Sequence, residues 1–398
     1  MPRAVVTARE NLRLLNQRAV LQTVHRYDQI SRSDLAAELH LSPATVTDIT
    51  ALLIDRGILY EARAGTSSTV GRKPILLQVN YNHAAVLGIK LSSTAVITVL
   101  TNLKAEVLAR RTDLLQTLEP EAVVTVIQEA AEALLHCTSA SPETLVGVGV
   151  SLPGIVEPDT GTCRYSALLG WREVPLGPLL KDRLERTTFI DNDVNALAAA
   201  EAWFAQAKRH QDFLVVTLGQ GIGLGIIIGG APYRGPQGGA GEFGHLALDV
   251  DGPLCTCGNR GCLEAYLADE ALVKRAREQI PAFRGATIEA LVALADTGDA
   301  DARALFAEAG RLLGRALSGL VNIFAPSLVV LSGEGMRAAH LLLPETRASL
   351  EAHCFGDLYD RVELLVNTWG DDAWARGAAG LAARQYLFEV ADTLGGEP

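Results

Sequence analysis

Residues 86–101 read VLGIKLSSTAVITVLT, and residues 213–228 read FLVVTLGQGIGLGIII. Each is an apolar run, a turn of small residues and a second apolar run, the pattern of strand, tight turn, strand. The repeated opening implies an internal duplication. Two α/β lobes are expected, with a cleft between them where a small ligand fits. Outward from the first opening come a strand near Val107–Arg111, an amphipathic helix over Pro120–His136 and a strand in LVGVGV. The second is followed by mostly helical segments, 263–280 and 299–320, with strands near Leu328–Leu331 and Glu363–Val366. A last helix, Ala373–Val390, is expected to pack back on the body.

Upstream, the first 80 residues follow a different pattern. Asn16–Tyr27 places Ala19, Val20 and Val24 on one helical face, and Ser31 opens a second helix with Asp34 three residues on, a variant capping box. After a short turn, Ser42 caps a third helix that has Pro43 at its first position. Its inward face is Val46, Ile49, Leu52 and Leu53. Ala44, Thr45, Thr47 and Asp48 remain outside. Gly57 ends it, and short strands near Ile58–Ala62 and Ile75–Val79 bracket GTSSTVGRKP. Helix, tight turn, helix and hairpin make a winged helix-turn-helix, whose third helix enters a major groove. Ser42, Pro43, Ala44, Thr45 and Thr47 are the candidate DNA-facing positions, with Arg72 and Lys73 on the wing tip placed for phosphates or a minor groove.

The charge distribution agrees. The 398-residue chain has a formal charge of −11, which excludes indiscriminate coating of nucleic acid. Residues 1–80 nevertheless hold ten Lys and Arg against seven Asp and Glu, and the remainder 25 against 39. A basic head on an acidic body suits local DNA contact by one end. No run of about 18 uncharged apolar residues suggests a membrane span, the start lacks a signal peptide's apolar core, and Cys137, Cys163 and Cys354 are scattered. A cytoplasmic protein is expected.

Three segments carry chemistry. GEFGHLALDVDGPLCTCGNRGCLEAY, residues 241–266, places His245, Cys255, Cys257 and Cys262 within 18 positions. One imidazole and three thiols can close a tetrahedral Zn²⁺ site, with Gly258 and Gly261 supplying the turns. Glu242 and Glu264 flank it. Next, the strand ending in Asp191-Asn192-Asp193 runs into an alanine-rich helix, putting polar side chains at the carboxyl end of a sheet. One of them can cap the helix; the others are free for ligand. Third, Gly219-Gln220-Gly221-Ile222-Gly223 is a candidate phosphate loop with accessible backbone N–H groups.

Together the winged helix, DNDVNA, LGQGIG, GGAGEFGH and CTCGNRGCLE resemble the ROK family of repressors, open reading frames and sugar kinases, and the resemblance covers essentially the whole chain. It implies an α/β fold in which an N-terminal winged helix-turn-helix (1–80) precedes a two-lobed actin-like body of the ribonuclease H-like, sugar kinase type. Lobe 1 would be 81–195 and lobe 2, with the zinc knuckle, 196–398. It implies one structural Zn²⁺ per chain on His245, Cys255, Cys257 and Cys262, and sugar contacts from Asn192, Asp193, Glu242, His245 and Glu264. In the family's kinases the residue matching Asp193 is the general base.

Two departures separate the chain from those kinases. Their first turn is of DxGGT type; here it is Lys90-Leu91-Ser92-Ser93-Thr94, with lysine for the metal-ordering acid and serines for the glycines. The first turn is thus degenerate and Gly219, Gly221 and Gly223 are inherited architecture, so no ATP requirement and no enzyme activity are expected. In SALLGW, Leu168 stands where many members have a sugar-binding asparagine, which alters the sugar accepted. The repressor branch, with its xylose-, N-acetylglucosamine- and glucose-responsive members, implies a homodimer or tetramer on an inverted-repeat operator, released by a monosaccharide of xylose or glucose type. The alternatives are an ATP-dependent sugar kinase with a fused DNA-binding domain, and a repressor sequestered by a transporter protein.

Overall fold

The computed structural model describes residues 8–62, 74–138, 141–204, 206–367 and 372–393. The head begins with α1 (Ala8–Tyr27), longer than the sequence pattern suggests, followed by β1 (Ile30–Ser31), α2 (Arg32–Glu38) and α3 (Pro43–Asp55). Both short helices start as expected: the Ser31 hydroxyl accepts from Asp34 N–H at 3.2 Å and the Ser42 hydroxyl from Thr45 N–H at 3.1 Å. Strands β2 (Leu59–Ala62) and β3 (Leu76–Val79) form the wing, with β1 pairing on the far side of β3. The wing tip, including Arg72 and Lys73, lies outside the described residues.

Lobe 1 opens with β4 (Ala85–Leu91), β5 (Ala95–Asn102) and β6 (Val107–Leu114), then α4 (Pro120–Thr138) and β7 (Leu145–Leu152). A small meander of β8 (Ile155–Glu157), β9 (Thr162–Ser166) and β10 (Trp171–Val174) leads to α5 (Leu176–Leu184) and β11 (Thr188–Asn192). The sheet order is β11-β7-β4-β5-β6, with β4 and β7 parallel and the β4-β5-β6 meander antiparallel. Helix α6 (Asp193–Phe204) then crosses to lobe 2, which repeats the opening as β12 (Phe213–Leu218) and β13 (Ile222–Ile228), followed by β14 (Ala231–Pro232). Its helices are α7 (Glu264–Leu267), α8 (Asp269–Gln279), α9 (Ile288–Asp296) and α10 (Ala300–Phe324). After β15 (Leu328–Ser332) come α11 (Ala339–His353), α12 (Leu358–Arg361), β16 (Glu363–Val366) and α13 (Ala373–Thr393). The second sheet runs β14-β13-β12-β15-β16. The run 263–280, expected as one helix, is two: Ala268 takes an extended conformation and breaks it.

Helix α13 returns to lobe 1 and lies on its sheet. A Cβ at Gly88 of β4 or Gly149 of β7 would collide with the backbone oxygens of Ala375 and Ala378, so helix and strands meet main chain to main chain. The other face of α13 meets the head. Val20, Leu21 and Val24 of α1 share a buried cluster with Ala379, Ala382, Ala383, Leu387 and Phe388. Head and body therefore have one continuous core at this joint.

At its rim, His25 stacks on Trp203 at the end of α6, ring centroids 3.9 Å apart. One ring nitrogen lies 2.7 Å from the Tyr81 hydroxyl and the other 2.6 Å from the Trp203 carbonyl. Burial pushes the imidazole down to about 4, Lys208 and Lys104 reinforcing the shift while the Trp203 carbonyl and Asp28 oppose it. The neutral ring is the folded form. Because its folded pKa lies below the unfolded value, the contribution is complete above pH 6.5 and is lost as pH falls toward 4. By pH 5 the loss is about 2 kcal/mol. The wild-type melting temperature should therefore fall more between pH 7 and 5 than that of His25→Gln. Parallel curves would remove the histidine from the joint.

Candidate functional site in the cleft between the lobes

The candidate site is organised around the start of β13. Ile222 N–H donates to Glu264 Oε2 at 3.0 Å, fixing the carboxylate at the head of α7. The Ile222 carbonyl faces Gly244, where any side chain would strike it. The turn carrying Glu242 and His245 is thus pressed on the same residue. Gly223, next along β13, lies under Val194 of α6, so its missing side chain serves helix packing. Asp193 immediately precedes that valine. Two consecutive strand residues therefore gather Glu242, His245, Glu264 and Asp193.

The three polar residues at the strand end divide their roles. Asn192 Oδ1 accepts from Val194 N–H at 2.9 Å and Asn195 N–H at 3.3 Å, capping α6, while its Nδ2 donates to the Gly154 carbonyl at 3.1 Å. The cap is therefore the middle residue, and its amide is also engaged on lobe 1. Asp191 is buried and bonded to Arg234, a residue the sequence pattern did not single out. Asp193 keeps one oxygen on the Val194 N–H at 2.9 Å. Loss of hydration pushes its carboxyl up to about 6, opposed by Lys90.

The His245, Cys255, Cys257 and Cys262 donor atoms all lie within 4.8 Å of one another. Cys257 and Cys262 sulfurs are 3.7 Å apart, and Cys255 Sγ is 3.6 Å from His245 Nδ1. Around a tetrahedral ion with zinc's bond lengths, two sulfurs sit about 3.8 Å apart and a sulfur and nitrogen about 3.6 Å. The donor set fits such an ion. Burial pushes the Cys262 thiol up to about 12, so a cation is what would make it a thiolate at neutral pH. With Nδ1 facing the sulfurs, His245 Nε2 points the other way, 4.0 Å from Glu242 Oε2. An ion held on Nδ1 would leave Nε2 beside that carboxylate.

At the other end of Asp193, the two phosphate-type turns are filled from within. Lys90 Nζ is 3.5 Å from Glu334 Oε1 across the lobes and 5.0 Å from the centroid of the Trp374 ring. Glu334 Oε2 would lie 2.6 Å from a Cβ on Gly219, and Glu264 Oε2 3.0 Å from one on Gly221, so carboxylates line both glycines. Sequence reasoning missed Glu334, because SGEGM shows no pattern that places a carboxylate against a turn 115 residues upstream. In the first turn Ser92 folds on itself, its hydroxyl accepting from Ala95 N–H at 3.1 Å; Ser93 and Thr94 are exposed. Leu168 is also exposed, at 62%.

A winged-helix head, two α/β lobes that open alike and a Cys₃His cluster define a class: a winged-helix head on a sugar kinase-type body. The ROK family model matches residues 86–385, and the chain belongs to the ROK family. It is 31% identical over 392 residues to a putative xylose repressor of Caldicellulosiruptor sp. strain Rt8B.4, covering 94% of this chain and 97% of that protein. Among solved structures it is similar to a ROK family transcriptional regulator, a homologue of the E. coli MLC protein, with TM-score 0.83 and 26% identity over 97% and 100% of the two chains. A ROK family glucokinase from Streptomyces griseus, solved with glucose and AMPPNP, matches with TM-score 0.64 and 28% identity over 75% and 99%. The glucokinase is covered almost whole by three-quarters of this chain. No helix among the described residues is long and apolar enough to cross a membrane.

Replacing one thiol should separate metal from fold. Cys257→Ala is expected to drop bound metal from one per chain to near zero by mass spectrometry of the native protein, and to lower the melting temperature. A full complement in that variant would break the ligand set.

Proposed function

We propose that this chain is a sugar-responsive transcriptional repressor of carbohydrate uptake or catabolism genes. It holds one structural Zn²⁺ on His245, Cys255, Cys257 and Cys262, binds a monosaccharide in the cleft and an inverted-repeat operator through its head, and works as a homodimer in the cytoplasm. The observation that carries the reading is the convergence of Asp193, Glu242, His245 and Glu264 on two residues of β13, in a body joined through a continuous core to a winged-helix head. Carboxylates and an imidazole accept from and donate to adjacent sugar hydroxyls, and Asn192 completes the set. The exposed positions Ser42, Pro43, Ala44 and Thr47, with half-buried Thr45, are small, so they would allow close approach to base edges, with hydroxyls at 42, 45 and 47. Arg72 and Lys73 would add phosphate contacts. The working units are the head, 1–80, and the lobes, 81–195 and 196–398. Four protein ligands leave the zinc no open position, so its part is to orient, not to activate water.

The test is a melting-temperature panel of D-xylose, D-glucose and N-acetyl-D-glucosamine on the metal-loaded chain, followed by operator release, using DNA selected from a randomised pool. One sugar should raise the melt and alter operator affinity. Glu242→Gln should abolish that response while leaving sugar-free operator binding unchanged; a retained sugar response would remove Glu242 from the site. Silence across the panel, with release by a transporter protein instead, would favour sequestration.

A kinase reading is favoured by one feature, the placement of Asp193. The filled turns weigh against it. Glu334 puts negative charge where nucleotide phosphates would lie, and Lys90 replaces an acid that would order Mg²⁺. Wild-type protein should show no melting shift with ATP and Mg²⁺, and Glu334→Gly should gain one. Sugar-dependent ADP release by the native chain, lost in Asp193→Asn, would restore the enzyme.

A further inference from the structure

The loop that delivers Glu242 and His245 to the cleft begins at Arg234, and that arginine is anchored on the opposite lobe. Its Nε and Nη2 lie 2.7 and 2.6 Å from Asp191 Oδ2. Asp191 is 2% exposed, and its other oxygen accepts from Asn192 N–H at 2.9 Å and Asn195 Nδ2 at 3.3 Å. The Arg234 carbonyl in turn accepts from Ala240 N–H at 3.0 Å, closing the glycine-rich loop two residues before Glu242. Gly238 within that loop abuts the Val156 carbonyl of β8 so closely that a side chain would not fit. The loop therefore spans the lobes, and the ion pair is its only charged tie to the Asp191–Asp193 segment among the described residues.

We propose that Arg234 is the positioning residue of the sugar site: through Asp191 it fixes the spacing between the Asn192–Asp193 pair on lobe 1 and the Glu242–His245 turn on lobe 2. This rests on the sugar-cleft reading. A buried carboxylate must be paired, so the guanidinium holds the loop wherever the strand end goes. Two donors on one oxygen, from a planar group, restrict the angle as well as the distance. A site set in advance binds more tightly because less order is lost on binding. The arginine touches no sugar in this scheme.

The experiment compares wild type, Arg234→Lys, Arg234→Met and the double variant Asp191→Asn/Arg234→Met. It reads melting temperature, hydrogen exchange of residues 235–246, and affinity for whichever of D-xylose, D-glucose or N-acetyl-D-glucosamine binds the wild type. Arg234→Met leaves a lone buried carboxylate, so it should lose both stability and, by about tenfold or more, sugar affinity. The double variant removes that charge and should recover the melting temperature but not the affinity, with exchange of the loop still fast. Arg234→Lys should recover part of the affinity. Recovery of affinity together with stability in the double variant would reduce the pair to charge compensation and overturn the proposal. If none of the three sugars binds the wild type, the sugar reading fails separately. Exchange of the loop without ligand then decides alone: unchanged protection in Arg234→Met overturns the brace.

Discussion

The packing of α6 on β13 is the constraint on which the cleft depends. It requires a strand with no side chain at Gly223, so that Val194 can descend onto the backbone. That descent sets where the helix begins. Its cap, Asn192, and its first residue, Asp193, are thereby placed at the start of β13. A site placed at the end of packed elements is held more rigidly than one built on free loops, because the core resists displacement. The same helix ends at Trp203, stacked on His25 of the head. One rigid element thus starts at the ligand cleft and finishes at the joint with the DNA-binding-type head. An effector can change operator binding only if it favours one arrangement of that joint over another.

The two strand turns of the body differ in what surrounds them. A glycine turn between two strands offers accessible N–H groups and room for an anion. Here the room is taken by Glu264 on one side and Glu334 on the other, and one N–H, that of Ile222, is already satisfied. The lysine at the first turn pairs with Glu334 at 3.5 Å. The ion pair and the two carboxylates place opposite charges side by side at this end of the lobes. The lobes are bridged by Lys90–Glu334 and by Asp191–Arg234.

Much of this was legible in the sequence, and the reasons differ by element. The doubled strand–turn–strand pattern located both sheets because period and turn chemistry are local properties. Ser31, Ser42 and Pro43 marked helix starts for the same reason, and the capping bonds lie where those residues predicted. The Cys₃His cluster was readable because metal geometry dictates spacing. The break at Ala268 was not, since nothing in LEAYLADEALVK forbids a continuous helix; tertiary packing chose the kink. Nor were Arg234 and Glu334 visible. Each is an isolated charged residue in a turn-rich segment, and its meaning comes from a partner 43 or 244 positions away.

The middle residue of Asp191-Asn192-Asp193 shows where sequence reasoning loses resolution. The pattern implied that one residue caps the helix while the others meet ligand. In the structure the three do three different things: one carries a buried interlobe ion pair, one caps and reaches Gly154, and one presents a carboxyl pushed up to about 6. All follow from a single geometric fact, that successive residues at a strand's end point to opposite faces before the helix turns them. Asp191 enters the core and must find a cation, Asn192 turns back over the first helical turn, and Asp193 faces the cleft. Burial raises that carboxyl and Lys90 opposes the rise, so its ionisation is tied to the residue that opens the first strand turn.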